Sequence, residues 1–379
     1  MKNPLILLAV LLIIIGGVWV LGNKNRTTNS SGPIKIGVAI AQTGLASEWG
    51  ENEFKTIRMM TDDLNRNGGI NGQQVELVIE DTRSDPNGTT NAILKLATVD
   101  KVQVIIGPSW GDSFQGGFPI AETNKVVLVT PSAALESVLN RKDFSYLFST
   151  WWPQLPEVEA FRDYLIKNNL TKVAILNDQD AFTTAIANQA EEVVKTSNQL
   201  QFAGRFEVPV GTKDYRSTLI KIKQSSPNAV YILVQDDSQY GSLMKQAKDL
   251  NLSFNFFSVT SAQNEGMIKN FKKAVDGLRY TYPRVIEDDA YKEMVSRYKD
   301  TYGELPTGSS FTNTINATNI VFETLRRGAR SGTEIRDMLE QINIPGVGLD
   351  NVSFGEEHQI DNSQFEIRII RDGKFVVVE

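Results

Sequence analysis

Two short apolar runs, joined by a segment of helical length, form the stretch from Val102 to Ala134. The first run reads VQVII and ends in a Gly-Pro pair, and the second reads VVLV and ends in Thr130. Short runs rich in Val and Ile are typical of strands buried on both faces. Two such strands joined by a helix form a parallel βαβ unit, which indicates an α/β fold. In sheets of this kind a ligand binds at the carboxyl ends of the strands.

The composition is that of a globular protein, with 379 residues, 41% hydrophobic and 22% charged, and the length favours two domains. The net charge is −6 and the two signs are interspersed, so no basic stripe indicates nucleic-acid binding. The sequence has no Cys and one His, His358, which we expect at the surface because its neighbourhood is acidic and turn-like. These counts exclude disulfides, a His-based triad and a multi-His metal site, and we predict no cofactor.

The first 29 residues form a separate segment. An unbroken apolar run of 17 residues extends from Leu5 to Leu21, after Lys2. Signal-peptide cores are usually shorter, and membrane-spanning helices need about 20 residues, so the run lies between the two. No small-x-small cleavage site follows it and no Cys is available for lipid attachment. We therefore favour an uncleaved membrane anchor over a cleaved signal peptide, with a short tether before Pro33.

Strands and helices alternate along the rest of the chain, which predicts doubly wound parallel sheets. In the first half, strands are predicted at Ile34–Ala41 and Val75–Asp81, besides the two in the opening stretch. The pattern restarts after Pro153, where strands are predicted at Lys172–Leu176, Phe202–Val208, Ala229–Val234 and Phe254–Val259. The sequence therefore predicts two lobes of similar design, followed by a terminal hairpin that turns at Asp372 and Gly373.

Three motifs occur in order at compatible spacing. They are IKIGVAIAQTGLASEWGENEF, then LNRNGGINGQQVELVIEDTRSDP, then IGPSWGDSF followed by VVLVTPSAA. Together they resemble the type I periplasmic solute-binding proteins of the branched-chain amino acid group, over roughly Pro33 to Glu379. The resemblance implies two doubly wound parallel-sheet lobes joined by a three-stranded hinge, here with an N-terminal hydrophobic helix.

The resemblance also implies where the lobes begin and end. Residues 1–29 would be the signal peptide or anchor with its tether, 33–150 plus 283–345 lobe 1, and 151–282 plus 346–379 lobe 2. The first crossing between lobes reads FSTWWP. Neighbouring side chains of an extended strand point to opposite sides, so we expect one of Trp151 and Trp152 to be exposed or at the cleft. The alternative is that one indole packs on each lobe.

A ligand is expected in the cleft between the lobes. In the family, hydroxyls and backbone N–H groups of lobe 1 hold an amino-acid carboxylate, and an acidic residue of lobe 2 holds the ammonium. This sequence departs from that pattern. The expected serine is Gly111, the expected threonine is Ala134, and the expected acidic residue after Phe257 appears as Thr260 or Ser261.

Replacement hydroxyls are available at Ser109, Ser113 and Ser132, and Asp236 or Asp237 could supply the lobe 2 anion. The alternative for these aspartates is that at least one caps a helix. Trp49 is either an aromatic wall of the cleft or a helix-start residue packed on the lobe. The predicted ligand-binding set is Trp49, Ser109, Trp110, Gly111, Ser113, Thr130, Ser132, Ala133, Trp151, Phe182, Asp236, Asp237 and Thr260.

The implied function is that of an extracytoplasmic receptor of an ABC importer, which closes on a small polar solute such as an amino acid or amide. Its expected partners are the solute, the membrane permease subunits and, through its N-terminal segment, the membrane; we expect a monomer that does not bind nucleic acid. An extracytoplasmic sensor feeding a separate signalling protein is the alternative. An enzyme is disfavoured, because no His- or Cys-based nucleophile pair, P-loop or G-x-G-x-x-G spacing is present. A carboxylate-pair hydrolase stays open.

Overall fold

The computed structural model describes residues 32–44, 46–109, 115–138, 141–234, 237–263, 265–306, 310–361 and 364–378. The predicted anchor at residues 5–21 lies outside these ranges. Within them, no helix has both the length and the apolar character needed to cross a membrane.

Lobe 1 begins with four parallel strands that alternate with helices, followed by a fifth strand. These elements are β1 (Ile34–Ile40), α1 (Ser47–Arg66), β2 (Val75–Asp81), α2 (Pro86–Thr98), β3 (Val104–Ile106), α3 (Phe118–Asn124), β4 (Val127–Thr130) and β5 (Leu147–Ser149). The strand order is β2-β1-β3-β4-β5, and all four pairings are parallel. Strands β3, β4 and β5 are buried throughout, as their apolar runs predict for a sheet covered on both faces.

Lobe 2 repeats this alternation around a second sheet. Its elements are α4 (Gln154–Lys167), β6 (Lys172–Asp178), α5 (Ala181–Thr196), β7 (Gln201–Val208), α6 (Arg216–Gln224), β8 (Ala229–Leu233), α7 (Asp237–Asp249), β9 (Asn255–Ser258), α8 (Glu265–Phe271) and β10 (Arg279–Pro283). Strands β7, β6, β8, β9 and β10 are parallel neighbours in that order. The two sheets confirm the predicted fold class for the part of the chain that is described.

After β10 the chain returns to lobe 1 and then to lobe 2. The remaining elements are α9 (Asp289–Tyr302), α10 (Ser310–Arg326), α11 (Gly332–Leu339), β11 (Ile344–Pro345), β12 (Asn351–Val352), β13 (Phe365–Arg371) and β14 (Lys374–Val377). Tyr298 of α9 and Ile315 of α10 belong to the same core as Ile36 of β1, so these helices cover the first sheet. Strands β13 and β14 form the predicted hairpin and extend the second sheet antiparallel to β10.

The chain crosses between the lobes three times, first after β5, then after β10 and last between β12 and β13, and these three crossings lie side by side. The backbone N–H of Ser149 donates to the carbonyl of His358 at 2.9 Å, and the N–H of Ile360 donates to the carbonyl of Ser149 at 3.2 Å. The N–H of Arg284 donates to the carbonyl of Gln364 at 2.7 Å. His358, predicted at the surface, is partly exposed: its ring stacks on Phe148 at 4.2 Å and 16% of its side chain is exposed. The three crossings therefore form one connected region.

Helix α1 approaches the end of β1 very closely at Gly50. A Cβ atom on Gly50 would lie 2.1 Å from the carbonyl oxygen of Ala41, which is backbone and cannot rotate away. A glycine at this position therefore lets the first turns of α1 sit against the strand end, and so fixes where Trp49 and Glu53 lie.

We expect Gly50→Ala to destabilise the protein by roughly 1–3 kcal/mol. The clash forces α1 away from β1, which is the usual cost of overpacking, and it outweighs the roughly 1 kcal/mol that alanine gains over glycine in a helix. Urea unfolding gives the free-energy change. Gly32→Ala is the control, because nothing lies within 4 Å of its added Cβ. Equal stability of Gly50→Ala and wild type would contradict the close approach.

Candidate functional site

In each sheet there is one pair of neighbouring strands whose following connections run to opposite faces of the sheet. In lobe 1 this position lies between β1 and β3, and in lobe 2 between β6 and β8. The carboxyl ends of such strand pairs form a crevice where ligands bind. Helix α1 begins at the first crevice and helix α5 at the second, so the side chains of their first turns face the region between the lobes.

A buried carboxyl group, that of Glu53 on α1, lies at the lobe 1 crevice. The indole Nε1 of Trp49 donates to Glu53 Oε1 at 3.0 Å, and the hydroxyl of Ser109 donates to Oε2. Ser132 also hydrogen-bonds to this carboxyl group. Glu53 is fully buried. Burial raises its pKa to about 7, against the lowering effect of the hydrogen bonds from Ser109, Ser132 and Trp49.

A second buried carboxyl group, that of Glu157 on α4, lies in lobe 2. Its Oε1 accepts from the backbone N–H of Thr260 at 2.9 Å and from the hydroxyls of Thr260 and Thr281, each at 2.8 Å. Its Oε2 accepts from the indole Nε1 of Trp152 at 3.2 Å. Glu157 is 2% exposed, and burial raises its pKa. Each lobe thus carries one buried glutamate that is hydrogen-bonded by a tryptophan.

Three tryptophans connect the two glutamates, and we call them the tryptophan array. Trp49 lies 6.0 Å from Trp151 between ring centroids, and Trp151 stacks on Trp152 at 3.9 Å. Phe182 at the start of α5 and Phe365 at the start of β13 contact the same cluster. The array therefore spans from a helix of lobe 1, through the first crossing, to a helix and a strand of lobe 2.

Neither of the two adjacent tryptophans is exposed, so the part of the expectation that concerns exposure is wrong, and the part that puts one of them at the cleft stays a prediction. Trp151 is 7% exposed and Trp152 is 2% exposed. Strand β5 ends at Ser149, so the two residues are not in an extended strand and their rings turn to the same side and stack. Side chains alternate between the two sides only within a strand, and β5 ends two residues before Trp151.

The predicted site residues fall into three groups. Ser109 and Ser132 bond to Glu53, Thr260 bonds to Glu157, and Trp49, Trp151 and Phe182 belong to the aromatic cluster, so the structure brings these together. Thr130 and Ala133 have local roles: the Thr130 hydroxyl donates to the carbonyl of Pro108 at 2.8 Å, and the Ala133 carbonyl accepts from the Ser149 hydroxyl at 2.6 Å. The predicted residues outside the described ranges are Trp110, Gly111, Ser113 and Asp236.

Asp237 begins helix α7. Sequence reasoning looked for the lobe 2 anion there and at Asp236, and it missed Glu157 as well as Glu53. A signal was available for both. Glu53 lies four residues before the buried Ile57, and Glu157 four residues before the buried Phe161, so each occupies the apolar face of its helix. A charged residue on such a face needs hydrogen-bond partners or a ligand.

A small cavity adjoins the tryptophan array at the crossings. It measures about 60 Å³, and its walls include Trp152, Tyr282 of β10 and Asn313 of α10. Asn313 is 4% exposed, and its side-chain Nδ2 has no hydrogen-bond partner. A buried amide donor without a partner is costly in free energy, so the Asn313 side chain is incompletely hydrogen-bonded in this structure.

Comparison with known proteins gives the family. A sequence model described as periplasmic binding protein matches residues 33–374. The chain belongs to the periplasmic binding protein family. This assignment confirms the resemblance predicted from the three motifs, and it agrees with the expectation that the chain is not an enzyme, because the relatives carry the names of solute-binding proteins.

Similar proteins bear out the same fold. The leucine-, isoleucine-, valine-, threonine- and alanine-binding protein of Pseudomonas aeruginosa is 23% identical over 336 residues, 88% of this chain and 89% of that protein. The branched-chain amino acid transporter substrate-binding protein of Streptococcus pneumoniae, solved with isoleucine, superposes with a TM-score of 0.79 at 21% identity, covering 91% of this chain and 99% of its own. A Rhodopseudomonas palustris solute-binding protein, solved with 3,4-dihydroxybenzoic acid, has a TM-score of 0.77 at 21% identity, covering 92% and 96%. Bound solutes thus differ among proteins of this fold.

The raised pKa of Glu53 makes the stability of this periplasmic binding protein pH-dependent. The folded state binds this proton more tightly than the unfolded chain, whose glutamate titrates near 4.5. The contribution is therefore fully present below about pH 4.5 and is lost as the pH rises through about 7. Between pH 5.5 and 8 we expect Glu53 alone to lower the free energy of unfolding by about 2 kcal/mol.

Glu53→Gln should remove that part of the pH dependence, as measured by urea unfolding at several pH values. Glu157 keeps its own contribution of the same sign in the variant. Glu48→Gln is the matched control, because Glu48 is exposed on the same helix. A Glu53→Gln variant with the same pH profile as wild type would show that Glu53 does not titrate in this range.

Proposed function

We propose that this chain is the extracytoplasmic solute-binding receptor of an ABC importer. It holds a small polar solute between lobe 1 and lobe 2, closes by rotation about the three crossings, and in the closed form docks on the membrane permease subunits. The observation that carries this is the tryptophan array, which runs from the strand-end crevice of lobe 1 through the first crossing to lobe 2 and has a buried carboxyl group at each end. Family membership supports the same role.

The proposed binding residues are those that the structure brings to the array. They are Trp49, Glu53, Ser109, Ser132, Trp151, Trp152, Glu157, Phe182 and Thr260. The lobe boundaries predicted from the sequence belong to this proposal as well, with residues 33–150 and 283–345 in lobe 1, and 151–282 and 346–379 in lobe 2. A polar solute loses its water on entry, so donors and acceptors from both lobes must replace that water when the cleft closes.

A solute that binds should both stabilise the protein and change its tryptophan emission. Binding to the folded state adds RT ln(1 + [L]/Kd), about 2.7 kcal/mol at a hundredfold excess over Kd. Three of the five tryptophans form the array, so emission reports on that region. The test is a thermal-shift screen of the full chain against a metabolite library, followed by emission spectra with each compound that stabilises it.

Trp49→Phe is a useful companion variant, because it keeps an aromatic ring at the array but removes one emitter and the indole hydrogen bond to Glu53. We expect it to reduce the emission change and weaken binding. Stabilisation without any emission change would place the solute elsewhere. A library containing amino acids, amides, aromatic acids and amines that never stabilises the protein would contradict the receptor function.

A further inference from the structure

The two buried glutamates are satisfied by hydrogen bonds, but no cation of the described part of the chain lies beside them. Among the residues that the structure describes, none of the ion pairs includes Glu53 or Glu157; every donor that reaches them is a hydroxyl, an indole N–H or a backbone N–H. Buried carboxylates normally pair with a cation, because hydrogen bonds replace only part of the water that the charge has lost. In its charged form, each of these carboxyl groups therefore lacks a counter-ion among the described residues.

The described part of the chain also places no cation over a ring of the tryptophan array. In the described ranges, lysine and arginine side chains lie over rings of Phe and Tyr, as Arg368 does over Tyr282 at 4.1 Å, but over no tryptophan. Tryptophan is the aromatic ring that attracts a cation most strongly. The array and the two carboxyl groups thus offer two kinds of group that attract a cation, and no cation of the described residues lies on either.

The lobe 1 hydroxyls are not available to a carboxylate. Ser109 and Ser132 were the expected replacements for the missing serine and threonine, and both are hydrogen-bonded to Glu53. A solute carboxylate at these hydroxyls would compete with Glu53 for the same donors and lie beside its negative charge. Like charges so close disfavour each other strongly in a buried site. This arrangement selects against solutes that present a carboxylate to lobe 1.

We propose that the solute of this receptor is a small organic cation, with an ammonium or guanidinium group and no carboxylate, held between Glu53, Glu157 and the tryptophan array. This rests on the proposed receptor function and names the class of solute for that same cleft. When the lobes close, the cation supplies positive charge to a region whose two buried carboxyl groups have no protein cation beside them among the described residues.

The experiment compares cations with carboxylates on the full-length protein. The probes are choline, agmatine and putrescine on one side, and leucine and benzoate on the other, by thermal shift and calorimetry at pH 8. The neutral compound 3,3-dimethylbutan-1-ol has the shape of choline without its charge and is the matched control ligand. We expect at least one of the three cations to stabilise the protein, and the neutral analogue and both carboxylates to have no effect.

Glu53→Gln should weaken binding of that cation at least tenfold, while Glu48→Gln, exposed on the same helix, should leave it unchanged. Affinity in the wild type should fall about tenfold from pH 8 to pH 6, because protonation of Glu53 near pH 7 removes the charge that the cation binds. Folding of each variant is checked by its unfolding transition without ligand.

The outcomes separate the two proposals. Stabilisation by leucine or benzoate, and by none of the three cations, would overturn the cation assignment and leave the receptor function standing. Cation binding that is unaffected by Glu53→Gln and by pH would overturn the role of Glu53 and with it this assignment. If neither these probes nor the metabolite library stabilises the protein, the receptor function fails and the cation assignment fails with it.

Discussion

The hydrogen bonds that hold the two buried glutamates determine much of the rest of this site. Burying an unpaired carboxylate costs several kcal/mol of folding free energy. Each glutamate therefore needs hydrogen-bond donors from the elements around it. Glu53 collects them from Trp49 on its own helix and from Ser109 and Ser132 after two strands. These contacts tie the start of α1 to the ends of β3 and β4. The pKa of Glu53 near 7 shows that the donors balance only part of the cost of burial.

Lobe 2 solves the same problem with a different set of donors. Glu157 takes bonds from Thr260 after β9 and from Thr281 in β10, and so joins helix α4 to two strands of the sheet. The sequence led us to look for an acidic side chain after Phe257, and the structure has Thr260 there instead, holding a carboxylate that comes from another element. The carboxyl group is thus in the expected lobe, but it belongs to helix α4 and not to the loop after Phe257.

Most of the fold could be predicted from the sequence, because strand patterns are local. Runs of Val and Ile such as VQVII and VVLV identify buried strands wherever they occur, and the turns between them contain Gly and Pro. The site could be predicted only in part. Hydroxyl positions after strands were recognisable, but whether Ser109 faces a solute or a glutamate depends on a residue 56 positions earlier. Such a pairing has no local signal beyond the burial of Glu53 on an apolar helix face.

The contacts of the first crossing also indicate which ring contact of the tryptophan array opens when the lobes rotate. Ser149 is bonded to the third crossing through His358 and Ile360, and two residues later Trp151 stacks tightly on Trp152. Trp152 is bonded to Glu157 of lobe 2, whereas Trp49 is bonded to Glu53 of lobe 1. A rotation about the crossings would therefore act on the looser contact, the 6.0 Å tilted approach of Trp49 to Trp151, before the 3.9 Å stack. In such a rotation each glutamate keeps its own indole, and the gap forms between Trp49, which is bonded to Glu53, and the Trp151–Trp152 stack, which is bonded to Glu157.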